Sequence, residues 1–96
     1  MKRLYVLVSN KLEIVYGCVQ GGHVVAQWMI DNKDTQNWNN QYLIYLSADI
    51  EEWIFKLNLK NINYSVFSEP DLGDISTAIA VESDGFLFRN LRKMGV

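Results

Sequence analysis

Apolar residues fall in short runs and helical stripes along the chain, and these set out the expected elements. Leu4 to Val8 (LYVLV) is a continuous apolar run closed by Ser9 and Asn10, the pattern of a strand buried on both faces and therefore central to its sheet. A loop from Asn10 to Tyr16 follows. From Gly17 to Asn32, Val19, Gly22, Ala26 and Met29 recur at three- and four-residue spacing, which predicts an amphipathic helix ended by Lys33, Asp34 and Asn37. Gln41 to Ser47 (QYLIYLS) alternates and is rich in aromatic and branched residues, a second strand. Ser47 or Asp49 then caps a helix from Ile50 to Leu59, whose Ile50, Trp53, Ile54 and Leu57 keep helical period while Glu51 and Glu52 complement the dipole of its first turn.

Tyr64 to Phe67 predicts a third strand, and Glu69 to Asp74 (EPDLGD) a turn in which proline sets φ and glycine permits positive φ. Thr77 to Val81 (TAIAV) reads as a fourth strand. Asp84 caps an expected final helix, Gly85 to Met94, with Phe86, Phe88, Leu91 and Met94 on its apolar side. The expected order is β-α-β-α-β-β-α. Right-handed crossovers then favour an α/β domain of three layers, α/β/α, with a mixed four-stranded sheet. A two-layer ferredoxin-like arrangement is the alternative, although its usual order is βαββαβ.

At 96 residues, with 49% hydrophobic and 21% charged residues, the chain is expected to form one domain over 1–96 with a single core. No apolar run reaches the ~18 residues that cross a bilayer, and the start MKRLYVLVSNK lacks the pattern of a signal peptide. A cytoplasmic protein with no membrane association is expected. A lone cysteine, Cys18, agrees with a reducing compartment and reads as a small packing residue. Net charge −2 opposes a surface that is basic all round. Basic residues gather only at the ends, Lys2 and Arg3 against Arg89, Arg92 and Lys93, where chain termini could meet in space.

The segment Gly17-Cys18-Val19-Gln20-Gly21-Gly22-His23 carries the densest candidate chemistry. Adjacent glycines inside a helix cost about 1 kcal/mol each relative to alanine. They point to close approach, either of the sheet beneath or of a ligand above. The pattern is neither a dinucleotide fingerprint nor a phosphate loop ending in Lys-Ser or Lys-Thr. Gln20 and His23 share one helical face, where an amide and an imidazole could hold a carbonyl and move a proton, or could be ordinary surface polar residues. Glu69, Asp71 and Asp74 match no calcium loop and read as turn formers, so neither metal nor cofactor is expected. Trp28 and Trp53 read as core. Trp38, in the polar loop around Asn37 and Asn39, is the more exposed candidate for base stacking.

Taken in order, LYVLVSN, VQGGHVVAQW and EPDLGDISTAIAV resemble the type II peptidyl-tRNA hydrolases across nearly the whole chain. In that family a strand leads to a helix bearing an A-A-Q-x-x-H-A-like motif, and a D-x-G turn leads to a last strand with threonine before an apolar run. Gln20 and His23 match the first motif, and Asp71, Gly73 and Thr77 the second. The resemblance implies a metal-free hydrolase of the ester joining peptide to tRNA, often a homodimer, with peptidyl-tRNA as partner. It implies that Gln20 and Asp71 orient water and substrate, that His23 supports the helix or transfers a proton, and that Thr77 positions the ester. The family's helix normally carries lysine four residues before the glutamine, where this chain has Tyr16, a neutral phenol in place of a cation. Lys11 is the alternative source of that charge, and a non-catalytic relative serving as a binding or dimerisation module is the alternative function.

Overall fold

The structure, a computed structural model, describes residues 3–94. Lys2, expected in the terminal basic cluster, lies outside them. Strand β1 (Arg3–Ser9) is buried from Leu4 to Val8, as its continuous apolar run predicts. It lies mid-sheet, parallel to β2 (Leu43–Ala48) on one side and antiparallel to β4 (Ile75–Ser83) on the other. Adding β3 (Ser65–Glu69) beside β4 and a two-residue strand β5 (Arg92–Lys93) beside β2 gives the order β3-β4-β1-β2-β5.

Alternation along β1 divides the core in two. Leu4, Val6 and Val8 pack with Val24 and Trp28 of helix α1 (Ile14–Asp31), whereas Tyr5 and Leu7 pack with Ile50, Trp53 and Leu57 of helix α2 (Ile50–Leu59). Each face thus carries one helix. Helix α2 has the expected limits, capped where Asp49 accepts a hydrogen bond from the Glu52 backbone at 3.2 Å. Helix α1 begins three residues earlier than expected, because the Glu13 carboxylate accepts from the Tyr16 backbone N–H at 2.6 Å and so starts the helix at Ile14.

The final segment corrects the expectation of a helix over Gly85–Met94 and of a four-stranded sheet. Gly85 takes φ 96°, and only a 3-10 turn, Phe86–Phe88, follows before the chain joins the sheet edge as a fifth strand. The apolar residues here are spaced two, three and three apart rather than at a sustained helical period. Phe88 is the buried anchor of the turn, its ring 5.2 Å from Tyr5 and 5.1 Å from Trp53, with Leu87 and Leu91 packed beside it, while Phe86 is exposed. Met94 N–H then donates to Tyr45 O at 3.1 Å.

Three further expectations change. Trp38 is buried, its indole N–H donating to Tyr42 O at 2.8 Å, so it covers the α1 side of the sheet and offers no stacking platform. Cys18 is exposed rather than packed. Arg3 reaches the Asp84 carbonyl at one end of the sheet while Arg92 pairs with Ser47 at the other, so the terminal cations do not gather into one patch. No helix among the described residues is long and apolar enough to cross a membrane.

Candidate functional site

The last turn of β3, the start of β4 and the first turns of α1 meet at the end of the sheet where β1 ends. Register shifts between Phe67 and Ser68: Phe67 pairs with Ala78 and Ser68 with Ser76, leaving Thr77 as an extra, unpaired residue in β4. Simple alternation would group Thr77 with Ile79 and Val81 on the α2 side. The bulge turns it toward α1 instead, as bulges commonly re-aim a side chain.

There the Thr77 hydroxyl donates to Gln20 Oε1 at 2.6 Å, with Phe67 O a second acceptor at 3.3 Å. Gln20 Nε2 donates to Glu69 Oε1 at 2.9 Å, and the Tyr16 hydroxyl reaches the same oxygen at 3.4 Å. A polar chain therefore runs from the buried strand to the half-buried end of β3. Gln20 and Thr77 are 0% and 1% exposed, so their polar atoms must be paired internally, and they are. An amide fully engaged and sealed in this way cannot itself touch a substrate.

Of the other expected residues, His23 is exposed and stacks flat on Phe67, centroids 4.4 Å apart and planes 6° from parallel. Asp71 is exposed on the 3-10 turn Pro70–Leu72, its backbone N–H donating to Glu69 Oε2 at 3.4 Å. Lys11 lines a small cleft with Asp49, Glu51 and Ser76, and neither Tyr16 nor Glu69 borders that cleft. The two glycines also part company. A Cβ on Gly21 would stand 2.9 Å from Cζ of the Tyr45 ring, which is the close approach to the sheet, whereas Gly22 faces open space.

Glu69 is the residue that sequence reasoning passed over as a turn former. Its place at the end of β3 brings it to Gln20, and nothing local in E-P-D-L-G-D announces that contact. The Gln20 amide, the Asp71 backbone N–H and the Tyr16 hydroxyl together hold the Glu69 carboxyl below its usual range, the Gln20 bond contributing most. Tyr16 is displaced upward, chiefly by burial and then by the Glu69 charge. At neutral pH the centre of the site is thus an ionised carboxylate with Asp71 close by and a neutral phenol. It suits hydrogen-bond donors and cations, and it opposes a developing oxyanion or a phosphate. No protein-family model and no curated protein matches this chain.

Proposed function

We propose that this chain is a divergent relative of the type II peptidyl-tRNA hydrolases that works as a non-catalytic binding or dimerisation module. The observation that carries this reading is Glu69: its carboxylate stands where Gln20 and Tyr16 converge, within a network that contains no ammonium or guanidinium. A low-pKa carboxylate is a poor general base, and its charge disfavours both tRNA phosphate and the tetrahedral oxyanion of ester cleavage. The second reading is an active peptidyl-tRNA ester hydrolase. It is favoured by the direct Thr77–Gln20 bond, which joins two positions of separate family motifs, with His23 one turn further along the helix. Purified protein assayed against peptidyl-tRNA separates the two. Turnover no faster than spontaneous ester hydrolysis fits the module, and saturable turnover abolished by Asp71→Asn establishes the hydrolase.

A homodimer belongs to the same proposal. All three tryptophans are buried within one chain, so they need no partner. A continuous set of exposed apolar residues lies instead on the outer face of α1, where Val15 and Ile30 are each 70% exposed and Val19 is 52% exposed. No charged residue occurs between Glu13 and Asp31, and Cys18, Gly22 and Ala26 leave the middle of that face low enough for close approach. An 18-residue helix is roughly 27 Å long and offers on the order of 500 Å² per copy. A pair then buries about the 1,000 Å² at which specific interfaces begin. The acidic residues at the helix ends are turned away from this face, Glu13 into the helix cap and Asp31 onto Ser65, so the face lacks the basic rim that a lipid surface favours and suits a second copy of the chain.

A further inference from the structure

On the other side of the α1 start from Glu69 lies a cleft of about 370 Å³, bounded by the ends of β1 and β2 and by the edge strand β5. Among the described residues its polar lining is Ser9, Asn10, Ser47, Arg92 and Lys93, none of them a carboxylate. Glu13, between the lining residues Leu12 and Ile14, is turned into its own helix as the cap of α1. Antiparallel pairing sets Arg92 directly opposite Ser47, so both side chains leave the same face of the sheet. That face is the α1 side, because Tyr45, two residues before Ser47, packs there.

Among the described residues, the side chains of Asn10, Ser47, Arg92 and Lys93 make no hydrogen bond or ion pair with one another or with the rest of the protein. A guanidinium, a hydroxyl and a carboxamide without partners among the described residues, gathered around one cavity in a chain of net charge −2, form a donor set matched to a tetrahedral oxyanion. Arginine offers the planar two-pronged geometry that phosphate oxygens accept. Leu12, Ile14 and Met94 supply an apolar wall beside these donors, and the volume lies at the lower end of the ~300–1,000 Å³ typical of small-molecule sites.

We infer that this cleft binds the phosphate group of a small phosphomonoester, with Arg92, Ser47 and Asn10 on the phosphate and the apolar wall against the organic part. The inference goes beyond the reading of the Gln20 site and does not depend on it, since no residue is shared.

The test is amide-shift titration of the full chain with adenosine monophosphate, inorganic phosphate and adenosine, at fixed ionic strength and with sulfate as a control. Saturable shifts at Asn10, Ser47 and Met94 are expected with the monophosphate and not with adenosine. Equal binding of inorganic phosphate also supports the phosphate subsite and identifies free anion as its ligand. Arg92 is exposed on an edge strand, so Arg92→Ala should fold, as circular dichroism will verify, and should weaken binding about 10-fold or more. Arg92→Lys should retain part of the affinity. Absence of saturation by roughly 10 mM, unchanged binding in Arg92→Ala, equal shifts with adenosine alone, or shifts confined to Lys56, Lys60 and Arg89, which line a separate cleft beside Trp53, would each overturn the inference.

Discussion

Thr77→Val removes the donor on which Gln20 depends while keeping a β-branched side chain of nearly the same shape at the bulge of β4. Gln20 Oε1 then has no partner in a residue with no exposed surface, and water has no path to replace the lost bond. A buried carbonyl left unpaired costs about 1–3 kcal/mol, so we expect a loss of roughly 2 kcal/mol, a large part of the ~5–15 kcal/mol that holds a small domain folded. In a domain of this size that lowers Tm by about 8–16 °C. Urea unfolding should show a lower midpoint with an unchanged slope, since the exposed surface is the same. Adding Gln20→Leu removes the stranded acceptor, so the double variant should lose less than the sum of the two single losses, with a coupling of about 1 kcal/mol or more. A Thr77→Val protein within about 0.5 kcal/mol of the parent, or a strictly additive cycle, would refute the network as a stabilising unit.

Gly21→Ala should cost about 1–3 kcal/mol by driving a methyl into the Tyr45 ring, whereas Gly22→Ala should gain about 0.5–1 kcal/mol. Thermal unfolding of dilute protein decides, and equal losses at both positions would contradict the division of roles. Because the folded state holds Glu69 below its unfolded pKa, its contribution is present above the unfolded value and lost as pH falls through the folded one. Glu69→Gln should therefore flatten stability against pH across the carboxylate range, and parallel curves for the two proteins would count against the bond from Gln20. Val19→Glu places a charge on the outer face of α1 and should shift light scattering from dimer to monomer. A parent that is monomeric at millimolar concentration removes that surface from consideration.

What was legible in the sequence was what periodicity encodes. β1 betrayed its central place by the unbroken apolar run from Leu4 to Val8, and α2 by its helical stripe and its Asp49 cap. The start of α1 was missed because Glu13 is a less usual cap than serine or aspartate, and its role depends on one side-chain bond. β5 was missed because two residues carry no period at all, and its place is decided by Phe88 finding Tyr5 and Trp53 across the core.

The site divides along the same line. Gln20 and His23 are three apart on one helix, so their shared turn is readable. That Thr77 faces Gln20 is not, since strand alternation sends it to the opposite side and only the register shift against β3 brings it back. Glu69 reaches Gln20 across 49 residues of chain, a contact that no local pattern encodes.

Glu69 also changes what restoring the family lysine should do. Tyr16 already lies 3.4 Å from Glu69 Oε1, so the ammonium of Tyr16→Lys would pair with that carboxylate, and the pair would present almost no net charge to a substrate. A positioned cation is commonly worth about 10²–10³ in rate at a developing oxyanion, yet one neutralised by a partner loses most of that. Tyr16→Lys alone should therefore raise peptidyl-tRNA hydrolysis by less than about 10-fold, and Tyr16→Lys with Glu69→Gln should raise it by a further ~10-fold or more. Circular dichroism and urea midpoints establish that both variants fold, because Glu69→Gln still offers an oxygen to the Gln20 amide. Full activation by the single lysine would show that Glu69 does not control the charge of the site. An inactive double variant that is folded would show that the missing ammonium is not what separates this chain from a hydrolase, and would leave the sealed Gln20 amide as the reason.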